Sequence, residues 1–237
     1  RFYMTAGTLI ARAGTINVGE NWSISGTGIF TCGTSKVILT ASSGTKSISP
    51  RNQAFYDLQI DGTAAFRITN TLDVNNNLTI ANGSLDVSTS PTYNIYIGGN
   101  WTNNAIFYPQ VGTVIFDGNI VQTISRSAGE TFYSLTVNNT GGGITLANGN
   151  VVVSNLLTMT SGNINTGSFK LTIGTSVSTP GNISHTSGQV IGRLERWINS
   201  TGTNYLFPVG SSNENHYAII RPVSGLTSGS VVLRYIE

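Results

Sequence analysis

One short motif occurs three times at long, nearly equal spacing, and this repetition constrains the fold more than any other feature. The chain reads M-T-A-G-T-L around Met4, I-A-N-G-S-L around Ile80 and M-T-S-G-N-I around Met159. The motif glycines are Gly7, Gly83 and Gly162, spaced by 76 and 79 residues. The fullest statement is VVVSNLLTMTSGNINTGSFKLTI at 151–173. Each copy joins short apolar runs, such as LTI at 78–80 and LTM at 157–159, through a small polar turn. A unit of this kind leaves an apolar face uncovered and is stabilised by stacking on a copy of itself.

Further anchors align across the copies. GENW at 19–22 matches GGNW at 98–101, VIL at 37–39 matches VIF at 114–116, and AFYDLQI at 54–60 matches TFYSLTV at 131–137. Residues 14–94 form a first repeat and 95–173 a second, each of roughly 79 residues; length differences of one or two fall in polar turns, where loops tolerate them. Residues 1–13 match the second half of a repeat, with Phe2 and Met4 at the places of Leu157 and Met159. This opening stretch, with Phe2, Met4, Leu9 and Ile10, is the candidate subunit-stacking end, because an uncovered β edge is a template for another chain.

Apolar runs of three to five residues recur every 8 to 12 positions between Gly, Asn, Ser and Thr, which is the rhythm of short strands with tight turns. Val, Ile, Thr, Tyr and Phe dominate them, as a half-buried pleated surface prefers. No window carries a capped helical period. The expectation is an all-β chain: a β-solenoid resembling a parallel β-helix, with serial β-sandwiches as the other arrangement compatible with the pattern. At about 20 residues per coil, a repeat makes about four coils, each rising ~4.8 Å. Asn75-Asn76-Asn77 and Asn138-Asn139 favour the solenoid, since stacked amides form hydrogen-bonded ladders. Beyond Ile173 charge and aromatic density rise, and residues 174–237 read as a C-terminal β cap or small β-sandwich ending the stack.

Only 9% of the residues are charged while 39% are apolar, so the chain is ordered rather than disordered, with a surface of hydroxyls and amides. A net charge of +2 spread along the chain gives no nucleic-acid footprint. No apolar run is long enough for membrane insertion of this segment. The single cysteine, Cys32, allows no internal disulfide, and no Cys/His cluster suggests a zinc site.

No catalytic constellation stands out. Asp57 and Asp61 are the closest strand-spaced carboxylates, but the second repeat replaces them with Ser134 and Asn138. His185 and His216 lack a nucleophile elbow nearby. GGG at 141–143 has no helix after it to make a phosphate cradle. Trp22 and Trp101 recur at one repeat position; they are candidate glycan-stacking residues if exposed and core residues if not. Asn21, Asn77, Asn100 and Asn199 stand in N-x-S/T sequons. We expect no cofactor and no metal.

The series GNWTNNAIF, GTVIFDG, QTIS, TFYSLTVNN, LLTMTSGNINTGS and LTIG, followed by G-x-L-x-R, FPVG and RPV, resembles repeat regions of very large secreted proteins of Bacteroidota-type bacteria. Those proteins are described as β-helical and adhesin-like. The resemblance implies an extracellular, surface-attached or fibre-forming role. The expected function is a non-catalytic structural module assembling by head-to-tail β stacking. Its expected partners are copies of itself or neighbouring repeats of a longer chain, with surface glycans as a further candidate. A carbohydrate-binding module and a polysaccharide lyase or hydrolase are the other two readings.

Overall fold

A computed structural model describes residues 1–212, 214, 216–224 and 229–236. Every regular element among them is a strand, and parallel pairing stacks the strands as a β-solenoid. Packing divides the chain into two compact units, Arg1–Ile115 and Phe116–Glu237.

In the first unit each turn contributes one strand to each of three columns. The first turn holds β1 (Phe2–Met4), β2 (Thr8–Ile10) and β3 (Thr15–Val18), and the second β4 (Trp22–Ile24), β5 (Ile29–Thr31) and β6 (Lys36–Leu39). The third holds β7 (Thr45–Ser49), a single bridge at Phe55, and β8 (Asp57–Ile60). Then follow β9 (Ala65–Ile68), β10 (Leu72–Val74) and β11 (Leu78–Ile80), and after them β12 (Ser84–Asp86), β13 (Ile95–Ile97) and β14 (Trp101–Asn103). β15 (Ile106–Tyr108) and β16 (Thr113–Phe116) begin the next turn. Alternate residues face inward, as a strand's period of two requires. Val37, Leu39, Leu58, Ile60, Leu78 and Ile80 line one column without solvent exposure.

The sequence repeat is not a whole number of turns. From β1 to β11 the chain takes eleven strand positions, counting the Phe55 bridge, and at three per turn this is three and two-thirds turns. The repeated anchors therefore land on different columns. Phe2 pairs Trp22 in the column of β1, β4 and β7, whereas Leu78 pairs Trp101 in the column of β3, β6 and β8. Local packing is conserved through this rotation. The Trp22 and Phe30 rings meet edge to face at 4.9 Å and 76°, and Trp101 and Phe107 at 4.8 Å and 75°. The repeat preserves an aromatic packing module, not a surface.

The motif glycines mark a left-handed turn, with φ of +80° at Gly7, +65° at Gly83 and +90° at Gly162. Close approach adds a second requirement in the later copies. A Cβ at Gly83 would lie 2.3 Å from the Gly62 carbonyl oxygen, and one at Gly162 2.4 Å from that of Asn139. At Gly7 the same space is open.

Corner amides and carboxylates tie one coil to the next. The Asn21 Oδ1 accepts the Ser47 N–H (2.9 Å), Asp57 Oδ1 that of Asn77 (3.0 Å), and Asn77 Oδ1 that of Asn100 (2.9 Å). The second unit repeats the device, Asn150 accepting from Lys170 (3.0 Å) and Asn163 from Gln189 (2.8 Å). Where strands diverge at a corner, the side chain supplies the acceptor that the neighbouring carbonyl does not reach. Gln53 does the same for β5, accepting the Phe30 N–H and donating to the Gly28 carbonyl at 2.8 Å.

The second unit holds β17 (Gln122–Ser125), β18 (Glu130–Asn138), β19 (Ile144–Asn148), β20 (Val151–Ser161), β21 (Ile164–Ile173), β22 (Asn182–His185) and β23 (Val190–Ile198). β18 and β20 are long because each runs round a corner without interruption. The register shift between Phe132 and Ser134 marks the bend, as a bulge does. Phe132, Leu135, Val137, Val153, Leu157, Met159 and Leu171 fill the interior.

Contrary to the sequence reading, parallel stacking does not end at Ile173. β22 pairs β20 and β23 pairs β21, both parallel. Val190, Leu194 and Ile198 still point inward, but Arg193, Glu195 and Arg196 among them hide the apolar period. The closure consists of β24 (Tyr205–Phe207) and β25 (Ala218–Ile220) as an antiparallel ribbon, and β26 (Gly229–Arg234) antiparallel along β23.

Arg196 is an inward-facing cation 5% exposed. Its Nη1 donates to the Leu206 carbonyl at 2.7 Å, and it lies 5.5 Å from the centre of the Tyr205 ring. Burial pushes its pKa down to about 10. That value is below the unfolded one, so the charged form weakens the fold at every pH below about 10, and the cost is relieved as pH rises above it.

Two stability predictions follow from these contacts. Asn21→Val leaves the Ser47 N–H without its corner acceptor and lowers unfolding free energy by about 1–3 kcal/mol, while Asn21→Asp retains most of it, as read by denaturant melts. Arg196→Met keeps the volume and removes a buried charge, so its melting temperature equals or exceeds the parent's, whereas Arg196→Ala melts lower.

Candidate functional site: the open edge of the first coil

Among the described residues, β1, β2 and β3 are each paired on one side only, to β4, β5 and β6. In a parallel strand, successive residues send their backbone groups alternately to either side. The Phe2 N–H donates to Asn21 (2.9 Å) and the Met4 carbonyl accepts from Ser25 (2.8 Å), so both residues face β4 and Tyr3 faces away. On β2 the Gly7 carbonyl and Ala11 N–H bond to the second coil, leaving Thr8 and Ile10 pointing outward. On β3, Gly14 and Val18 bond to it, leaving Thr15 and Asn17 outward. The edge thus presents a ring of strand donors and acceptors at Tyr3, Thr8, Ile10, Thr15 and Asn17.

The side chains repeat this division between covered and uncovered. Phe2 stacks on Trp22 with ring centroids 3.9 Å apart and planes 14° from parallel. Phe2, Met4 and Leu9 are half-buried, and Ile10 is 61% exposed. Their counterparts one coil on, Trp22, Ile24 and Phe30, are buried. The four residues singled out from the sequence therefore share one coil and one open edge. Tyr3 (57% exposed, with the Arg1 guanidinium over its ring at 4.9 Å) belongs to the same edge. Its role is legible only from the alternation of backbone groups along β1.

Within the second unit the last parallel coil is closed by antiparallel pairing. The Val190 N–H donates to Pro208 (2.7 Å), and β26 pairs β23 from Arg193 to Ile198. Among the described residues β26 pairs with β23 alone.

The remaining sequence candidates are placed elsewhere. Trp22 and Trp101 are 0% exposed in the solenoid interior, which removes both as sugar platforms. Their recurrence reflects core packing. Asp57 and Asp61 hold amides of the following coil, Asp57 those of Asn76 and Asn77 and Asp61 that of Asn82 at 2.7 Å. Asn21 and Asn77 are engaged at corners, so these two sequon asparagines serve the stack. His185 Nε2 lies 2.7 Å from the Gly188 carbonyl oxygen. His216 contacts Glu214 at 2.7 Å and holds that carboxyl below the ordinary range. Burial raises Asp117. Cys32 is a half-buried free thiol. Among the described residues no group of three or more His, Cys, Asp or Glu side chains converges as a metal site would require, and no helix is long and apolar enough to cross a membrane.

No protein family, curated protein or solved structure matches the chain.

Proposed function

We propose that this protein is a non-catalytic structural module of an extracellular fibre or cell-surface adhesin, built to stack coil on coil, head to tail. The observation that carries this reading is the first coil, which has the same three-column form as those after it and an unpaired ring of backbone groups on its outer side. Three further features support it. Phe2, Met4 and Leu9 keep apolar surface in solvent where the next coil keeps none. The space beyond Gly7 is open where later motif glycines meet the preceding coil's backbone. The chain is only 9% charged, so little electrostatic repulsion opposes close approach of copies. Docking another coil would cover the side chains and satisfy the strand edge together. Burying a Phe, Met or Leu side chain is worth about 1.5–3 kcal/mol from full exposure, and half-buried ones correspondingly less. Head-to-tail contacts generate open filaments unless they close into a ring.

Sedimentation velocity over a concentration series, with electron microscopy of the concentrated material, tests this. The expected result is concentration-dependent association into linear particles. The double variant Tyr3→Pro/Ile10→Pro removes two outward N–H groups and leaves the bonds to the second coil in place. It is expected to lose about 1–3 kcal/mol of association energy, tenfold or more in the constant, without a change in thermal melting. A protein that stays monomeric at high concentration, or associates equally well with both prolines in place, contradicts the proposal.

A further inference from the structure

The third tryptophan lies apart from the other two. On β23, Leu194, Arg196 and Ile198 are buried, and the alternate residues Arg193, Glu195 and Trp197 point outward. Trp197 is half-buried at the margin of a shallow open groove of 420 Å³ in the second unit. Thr131, Asn150, Lys170, Thr172 and Glu195 line the groove with it. Parallel pairing sets Thr131, Val152, Thr172 and Glu195 in one outward column, a strand spacing apart.

The polar groups of this column are already ordered. Lys170 Nζ meets Glu195 Oε2 at 2.6 Å, the Thr172 hydroxyl donates to the same oxygen at 2.9 Å, and Ser230 donates to Oε1 at 2.7 Å. Burial pushes the Glu195 carboxyl up, but hydrogen bonds from Lys170, Ser230 and Thr172 outweigh it and leave it below the ordinary range. The cation and anion cancel, so the strip is polar without net charge. Asn150 spends its Oδ1 on the Lys170 N–H, which turns its amide protons to other acceptors.

We infer that the outward column of the second unit is a binding strip for a neutral oligosaccharide. The Trp197 indole receives the C–H face of a sugar ring, and Asn150 and the Lys170–Glu195 pair meet its hydroxyls. A pyranose has one apolar face and a rim of hydroxyls, and an aromatic plate beside fixed donors and acceptors matches both. The volume falls within the range of ligand sites. The open, shallow form suits an internal stretch of a polysaccharide rather than an enclosed end group. Charge balance selects against acidic glycans, since a uronate on Glu195 meets a like charge. This strip is independent of stacking at β1–β3.

Tryptophan fluorescence makes the test direct. Of the three tryptophans, Trp22 and Trp101 are fully buried, so acrylamide quenching reports Trp197. Cellohexaose, laminarihexaose, mannohexaose and an oligogalacturonate serve as probes. At least one neutral hexasaccharide is expected to protect Trp197 from acrylamide and to bind in calorimetry. Trp197→Ala abolishes that binding, Trp197→Phe weakens it, and Thr131→Glu, which breaks the charge balance, weakens it with circular dichroism unchanged. The inference is overturned if no neutral probe protects Trp197, if the oligogalacturonate alone binds, or if Trp197→Ala binds as well as the parent.

Discussion

Each coil of this protein is too thin to enclose a core by itself, and every other feature follows from that limit. A turn of three short strands directs its inward residues at a common axis, where only the turn before and the turn after can shield them from water. Parallel pairing holds each inward residue over its neighbour, as Leu58 over Leu78 and Leu78 over Trp101. Stability in such a stack is a sum of nearest-neighbour terms. The apolar surface that a coil ahead of β1–β3 would cover belongs to Phe2, Met4, Leu9 and Ile10.

The composition serves the same geometry. Inward positions take Val, Ile, Leu and Phe. Corners take Gly, where backbones nearly touch, and Asn or Asp, where a side-chain oxygen replaces a carbonyl that has turned away. Outward positions take Thr, Ser and Asn. Few places remain for charge, and some of those used are paired across coils, as Lys46 with Glu20 and Arg67 with Asp86. Arg196 breaks the pattern by pointing inward, at the place where stacking gives way to antiparallel closure and the core must end.

Much of this was legible in the residues alone, because stacking repeats its chemistry. The three motif copies identified the unit, the two-residue alternation identified strands, and the polar turns identified corners. Phase was not legible. A repeat of three and two-thirds turns returns the same packing on a different column, and linear spacing carries no record of that rotation. Trp22 and Trp101 therefore read as core or as platform, and prove to be two interior modules. The extent of stacking was also hidden, since β23 keeps inward Val190 and Leu194 while their neighbours turn ionic. The groove at Trp197 was missed for a related reason: Thr131, Thr172 and Glu195 are far apart in sequence and meet only through coil register.

The central claim is that the outer side of β1–β3 is competent to receive a coil of this protein's own type. It can be tested by supplying one. Since Leu78 occupies the place of Phe2 and its preceding neighbour in the column is Leu58, a chimera with residues 57–77 joined directly ahead of Phe2 provides a coil in register. The account predicts a higher melting temperature than the parent's and slowed amide exchange at Tyr3, Thr8 and Ile10. An added segment that stays protease-sensitive, with melting unchanged and those three amides exchanging as freely as before, would contradict it.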